Sequence, residues 1–406
     1  MAPSHFLGMP EKFNRMKSVR MALFALFAYA LIFQLVVCGV GLRLGPKNSS
    51  DFRQLYTAGY MVRSGLGPDL YYFGFEQLLQ NHLVSPGRPL PFDHLAYEAL
   101  LFAPFSFLKF STAYFVFAIL NFLLLVAAQQ LFRPYLSRLE SLGQFVPGGI
   151  FYCFLPAAVA IVLGQDSILL LVLTLLAFIA LDKGREMRSG LLLSMGLFKF
   201  QFILPIILLF LLWRKWRFVF GAALGGFALI GLSAWITGFS GMRDFAGTLA
   251  DMSIGLSSQA QRVKFATLPA AMPNLRGFID TVGGFSHLSA HAIQLTVIVC
   301  TLLVILLASR MQPSMYLAVL VAVLVSYHGL IHDSILLAIP LGILLVRSVS
   351  EKNLVLGIFD MLVFASPVLL FELWSGHFFL MAIPIVALLF LQRSASLEVA
   401  PPLCSD

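Results

Sequence analysis

Charge is what this chain has least of. Asp, Glu, Lys and Arg make up 11% of its residues, against roughly 25% in soluble proteins. A surface so poor in charge excludes an ordinary water-soluble globular domain. Cysteine is scarce too: of the four, Cys38, Cys153 and Cys300 sit within apolar runs and Cys404 near the C-terminal end. That pattern excludes a disulfide framework. Nucleotide signatures are missing, with no Walker A pattern, no dinucleotide glycine fingerprint and no Gly-x-Ser-x-Gly elbow. The short alternating segments of an outer-membrane barrel are missing as well. No internal repeat is evident, which argues against a transporter assembled from inverted repeats. The basic residues form no nucleic-acid patch. They gather at the ends of apolar runs, where membrane topology explains the net charge of +8.

What is present is hydrocarbon. Hydrophobic residues make up 59% of the chain and its mean hydropathy is +0.90. The apolar runs have the ~17–25 residues that cross a bilayer core as helix. The fold class expected is an all-α polytopic integral membrane protein. Spans are placed at 19–40, 111–132, 147–163, 167–181, 216–237, 289–308, 313–328, 333–347, 353–371 and 376–392. The segment 190–213 lies between two basic clusters, Lys183, Arg185 and Arg188 on one side and Arg214, Lys215 and Arg217 on the other. A helical hairpin broken around Lys199-Phe200-Gln201 and Pro205 keeps both clusters on the cytoplasmic side. The total is about 12 membrane helices, with both termini cytoplasmic. Residues 1–393 form one domain and 394–406 a cytoplasmic tail. Its two long extracytoplasmic segments are 41–110 and 238–288. Within the first, Phe75 to Leu83 reads as an amphipathic stretch in the interface plane. The basic start before the first span, followed by a long apolar run, reads as a retained signal anchor.

This topology puts the unusual polar residues on one face. They are Asp51 and Arg53, Asp93 and His94, Gln165 and Asp166, Arg262 and Lys264, Tyr327, His328, His332 and Asp333, and Glu372 and His377. A mixed acidic, basic and imidazole set drawn from every outer loop is what a catalytic cavity at the membrane boundary needs. Asp51 stands just past the first span and is the best general-base candidate, because a positioned carboxylate can accept a hydroxyl proton. An N-cap role at the helix beginning near Phe52 is compatible with this. Lys199 lies at membrane depth, where an ammonium costs ~2.5–3.5 kcal/mol unless it meets a partner such as a lipid phosphate. His328 and His332 are spaced i and i+4, so a metal is conceivable, but no His-Glu-x-x-His pattern exists. Hydrogen bonding to a phosphate or sugar is the expected role. Arg53, Tyr56, His94, Gln165, Asp166, Arg262 and Asp333 complete the expected substrate-binding set. No metal or cofactor is expected. An outward-facing transferase without a nucleotide motif needs a donor already in the membrane, and a polyprenyl-phosphate sugar fits.

The ordered motifs resemble glycosyltransferase family 87, the polyprenol-phosphate-mannose-dependent mannosyltransferases with a GT-C fold. Ser50-Asp51-Phe52-Arg53-Gln54-Leu55-Tyr56-Thr57-Ala58-Gly59 is similar to the family's Asp-Phe-x-x-Tyr-x-Ala-Gly pattern after the first helix. Asp69-Leu70-Tyr71 carries its Leu-Tyr pair. Tyr97-Glu98-Ala99-Leu100-Leu101-Phe102-Ala103-Pro104 is similar to its Tyr-Pro-Pro element. Gly164-Gln165-Asp166-Ser167 looks like its Gly-Gln-Asn turn. The stretch from Gly190 to Lys199, followed by Trp213-Arg214-Lys215-Trp216-Arg217, looks like its glycine-rich helix, buried lysine and basic exit. Glu98 stands where the family usually has proline, and Asp166 where asparagine is common. The resemblance implies inverting transfer of a hexose, mannose by analogy, from a polyprenyl phosphate to a lipid or glycan hydroxyl, with Asp51 as base. Lys199, Arg262 and His332 are then contacts to phosphate or sugar. The expected location is a bacterial inner membrane, multi-pass, with the site facing the periplasm or exterior. The competing classes are a secondary transporter or lipid flippase, which carries its polar groups at the midplane, and a non-catalytic envelope scaffold, which tolerates loss of Asp51.

Overall fold

In lipid each backbone N–H and C=O must be satisfied within its own segment, so runs as apolar as these become helices. The computed structural model describes residues 9–45, 51–87, 90–255 and 268–393, and among them every regular element is helical. Among the described residues, seven helices are long and apolar enough to cross a membrane: Lys17–Leu44, Phe110–Ser141, Val146–Leu163, Trp216–Ala250, Ala290–Ser309, Ile331–Glu351 and Leu354–Trp374. This is a polytopic helical membrane protein. Three shorter apolar helices, Ser167–Asp182, Met315–Val325 and Phe378–Gln392, occupy stretches where further crossings are expected from the sequence. The expected tail 394–406 lies outside the described residues.

The segment around 190–213 is bent rather than folded back. Glu186–Ser194 and Leu197–Leu212 meet at 68°, well short of a reversal. The break falls at Met195 to Lys199, a few residues before the position expected from sequence, where a 3-10 turn Leu197–Lys199 interrupts the helix. Pro205 is accommodated inside the second arm. A second break, at Gly238, has φ 68° and ψ 177° inside the long run Trp216–Gly255. That conformation is open to glycine and costly for residues with a Cβ.

Burial separates lipid-facing helices from central ones. Only 11% of the apolar window in Ala290–Ser309 is buried, against 72% in Ile331–Glu351 and in Val146–Leu163. Leu295, Ile298, Leu302 and Leu306 are exposed, which is costless against hydrocarbon. Every residue of Met315–Val325 except the half-buried Tyr316 is buried, and this helix forms the centre of the core.

The two ends of the central helices differ. At one end, Arg20 donates to the Ser141 carbonyl at 2.8 Å and Arg138 to Ser350 Oγ at 2.8 Å. The other end holds the last residues of Lys17–Leu44 and Val146–Leu163 and the first residues of Ser167–Asp182 and Ile331–Glu351. Over this end folds the segment carrying the short helices Phe52–Arg63, Phe73–Leu83 and Tyr97–Phe102. Phe52 anchors it, stacked on Phe117 with ring centroids 5.1 Å apart. The helix Phe73–Leu83 covers the stretch expected to be amphipathic. The residues it buries are Glu76 and Gln80, because its polar face pins the following loop while Leu78 stays outside.

Candidate active site

The turn between Leu155–Leu163 and Ser167–Asp182 sets the geometry. Gly164 closes the first helix in the left-handed region, φ 66° and ψ 44°. A Cβ there would lie 2.6 Å from Phe52 Cβ, so glycine is required twice over. The turn aims Gln165 and Asp166 inward, and Asn121 Nδ2 fixes it by donating to the Gln165 carbonyl at 2.9 Å. Gln165 then bridges two segments. Its Nε2 donates to Asp51 Oδ2 at 2.8 Å, and its Oε1 accepts from Lys199 Nζ at 3.1 Å.

Lys199 is delivered by the broken helix. Tyr97 Oη donates to the Met195 carbonyl at 2.9 Å and accepts from the Phe198 N–H at 2.7 Å, stapling the break from both sides. The ammonium, 2% exposed, meets Asp333 Oδ1 at 2.7 Å, Asp166 Oδ1 at 3.0 Å and Ser167 Oγ at 3.2 Å. The cost of an ammonium at this depth is thus met by two carboxylates of the protein.

On the far wall, Ile331–Leu337 opens as a 3-10 turn, so His328 and His332 do not share the helical face their spacing implies. Asp333 Oδ1 also takes the Ser167 hydroxyl at 2.7 Å and lies 3.1 Å from His332 Nδ1. His332 Nε2 then points at Asp51 Oδ2 across 4.0 Å, buried and without a hydrogen-bond partner. Asp51 occupies the N-cap position of Phe52–Arg63 without capping it. Its second oxygen is left for something other than the helix.

These groups line one cavity of about 70 Å³, walled by Asp51, Gln54, Asp93, His94, Gln165, Lys199, Gln201, Tyr327, His328, His332 and Asp333 among others. Burial pushes the Asp51 carboxyl above the usual carboxylate range, against the pull of His332, Gln165 and Lys199. Burial lowers His328 to about 4, keeping it neutral. Burial disfavours charge on His94 too, but Glu98, then Asp93 and Asp166, outweigh it and push it up to about 10. Burial raises Glu98 well above its ordinary value despite His94. Burial also works to raise Asp166, where Lys199 prevails and holds it low.

Of the residues singled out from the sequence, Asp51, His94, Gln165, Asp166, Lys199, His328, His332 and Asp333 come together here. Arg53 and Tyr56 do not line the cavity. Arg53 is fully buried and donates to the carbonyls of Ser85 and Gln80, and Tyr56 Oη donates to the Leu108 carbonyl at 2.8 Å. Glu372 pairs with Tyr29 and His377 with the Trp374 carbonyl, both away from the cavity. Arg262 and Lys264 lie outside the described residues. Glu98 and Ser167 join the cluster without having been assigned to it. Ser167 was legible as the residue after the Gln-Asp turn. Glu98 was legible as a lone carboxylate in an apolar helix.

A model of glycosyltransferase family 87 matches residues 97–340. That is more than half of the chain, and it spans the turn at Gln165, the broken helix with Lys199, and His332 with Asp333. The chain belongs to glycosyltransferase family 87. No curated protein and no solved structure matches it. Family membership makes it a glycosyltransferase, and the apolar helices make it a membrane one. Asp51, which precedes the matched stretch, is joined to that stretch by the Gln165 hydrogen bond. Glu98 and Asp166, the two positions where the sequence departs from the motifs it resembles, meet at His94.

Proposed function

We propose that the protein transfers a hexose, mannose by the resemblance, from a polyprenyl-phosphate donor to a hydroxyl of a lipid or glycan acceptor, with inversion. The observation that carries this reading is the gap between Asp51 Oδ2 and His332 Nε2, 4.0 Å wide at the cavity wall. A hydroxyl placed there is within reach of both groups. Asp51 takes its proton while the oxygen forms a bond to the anomeric carbon on the face opposite the phosphate. The carbon–oxygen bond to phosphate breaks, and the polyprenyl phosphate leaves with both electrons. Its charge falls on the Lys199 side, where the phosphate takes one ammonium N–H from Gln165. Asp333 holds His332 through Nδ1, so that Nε2 faces the reacting hydroxyl.

The absence of a nucleotide motif supports a lipid-borne donor. The cleft faces outward from the cell membrane on this reading, because Arg20, Arg138, Arg347 and Lys352 gather at the opposite end of the helices, as cytoplasmic loops do.

The test is donor choice. Protein in liposomes is offered labelled polyprenyl-phosphate mannose or labelled nucleotide-diphosphate mannose with a membrane lipid extract. Transfer from the lipid donor alone is expected. Transfer from the nucleotide donor alone would overturn the reading.

A further inference from the structure

Behind the cleft wall His94, Glu98 and Asp166 converge. One ring nitrogen of His94 and one oxygen of each acid lie within 4.8 Å of one another. His94 Nδ1 is 2.5 Å from Glu98 Oε2 and 3.7 Å from Asp166 Oδ2. Glu98 and Asp166 are fully buried, and His94 is nearly so. Glu98 Oε1 and Asp166 Oδ2 nonetheless accept no hydrogen bond, although buried oxygens are almost always hydrogen-bonded. Lys199 stands 3.0 Å from Asp166 but is shared with Asp333 at 2.7 Å.

Charge points the same way. Asp51, Asp93 and Asp333 line the cavity alongside His94 and Lys199, and Glu98 and Asp166 stand behind it. Five carboxylates therefore surround one lysine and three histidines. An anionic phosphate entering such a place is repelled unless another cation is present.

We propose that His94, Glu98 and Asp166 hold a divalent cation. An imidazole with two carboxylates and no thiolate suits Mn²⁺ or Zn²⁺. The imidazole and each carboxylate give one lone pair to the ion, and any proton on Nδ1 leaves to solvent. The other ring nitrogen, Nε2, faces Asp93 Oδ1 at 3.5 Å. That is the carboxylate–imidazole arrangement that orients metal-ligating histidines. The ion adds positive charge next to Lys199. The site stands whichever sugar donor the protein uses.

Full-length protein in lipid nanodiscs, stripped with EDTA and dialysed against MnCl₂, tests this without any transfer assay. About one Mn²⁺ per chain is expected by elemental analysis, with imidazole-nitrogen coupling in the electron spin-echo spectrum. Glu98→Gln and Asp166→Asn should each weaken binding by about tenfold or more, while Glu140→Gln, at an exposed surface pair, leaves it unchanged. Wild-type protein that retains neither Mn²⁺ nor Zn²⁺ overturns the proposal and leaves Glu98 and Asp166 to share a proton. Bound Mn²⁺ without nitrogen coupling overturns it too, as does equal affinity in wild type and both variants. Should a variant fail to fold, the wild-type nitrogen coupling decides.

Discussion

The segment between the first two long helices contributes to two buried polar clusters of opposite character. At Glu76 and Gln80 every side-chain polar atom is used. Glu76 accepts the Phe92 N–H at 2.9 and 3.1 Å, and Gln80 Nε2 at 3.0 Å. Gln80 also donates to the Leu90 carbonyl at 2.6 Å and accepts from its N–H at 3.1 Å. In the cleft, by contrast, His332 Nε2, Glu98 Oε1 and Asp166 Oδ2 are buried without hydrogen bonds. A cluster that satisfies itself holds a loop in place. One left short of partners is built for something that arrives later.

Breaking the cleft cluster at its centre has the largest effect. Lys199→Met leaves Asp166 and Asp333 buried beside one another, at a cost of about 3–5 kcal/mol. A lowered thermal unfolding temperature in detergent and lost transfer are expected. Next is Gly164→Ala. Left-handed strain and the contact with Phe52 Cβ, 2.6 Å from the added Cβ, together cost about 2–4 kcal/mol. The turn then misplaces Gln165, so transfer falls further than stability explains, read as turnover per folded molecule. Glu76→Ala sharpens the contrast from the other side. It frees the Phe92 N–H and Gln80 at about 1–3 kcal/mol, and transfer per folded molecule stays near wild type. A large activity loss without destabilisation would erase the distinction between the clusters.

The smallest effect is one of pH. Asp51 must be ionised to accept a proton, and burial raises its pKa. The rate therefore falls on the acid side with a midpoint above the ordinary ~3.9 of aspartate. A pH–rate profile under saturating donor reads this midpoint, and an acid limb at or below that ordinary value would contradict the assignment.

The cleft was legible where residue type and membrane position coincided. A lysine at membrane depth, a carboxylate just past a span and two histidines before another span were each conspicuous in a chain 11% charged. Arg53 and Tyr56 stand off the cavity because nearness in sequence is not nearness in space. At about 100° per residue, positions two and five beyond Asp51 turn away from it on the helix. Glu98 could not be joined to Asp166 from the sequence, since their contact links segments that no local pattern connects. About 12 membrane helices were expected, and seven among the described residues are long enough to cross. Apolar composition cannot separate a crossing from a short buried helix, and Met315–Val325, with 11 residues, is about 16 Å long against the roughly 30 Å of a hydrocarbon core.

The most direct measurement is sugar transfer by wild type and Asp51→Asn in the same liposomes, with labelled polyprenyl-phosphate mannose, a membrane lipid extract and a parallel donor-binding assay. Transfer by wild type, a loss of about 10²–10⁴-fold in the variant and unchanged donor binding are expected of a general base. Equal transfer by both proteins would remove Asp51 from the chemistry.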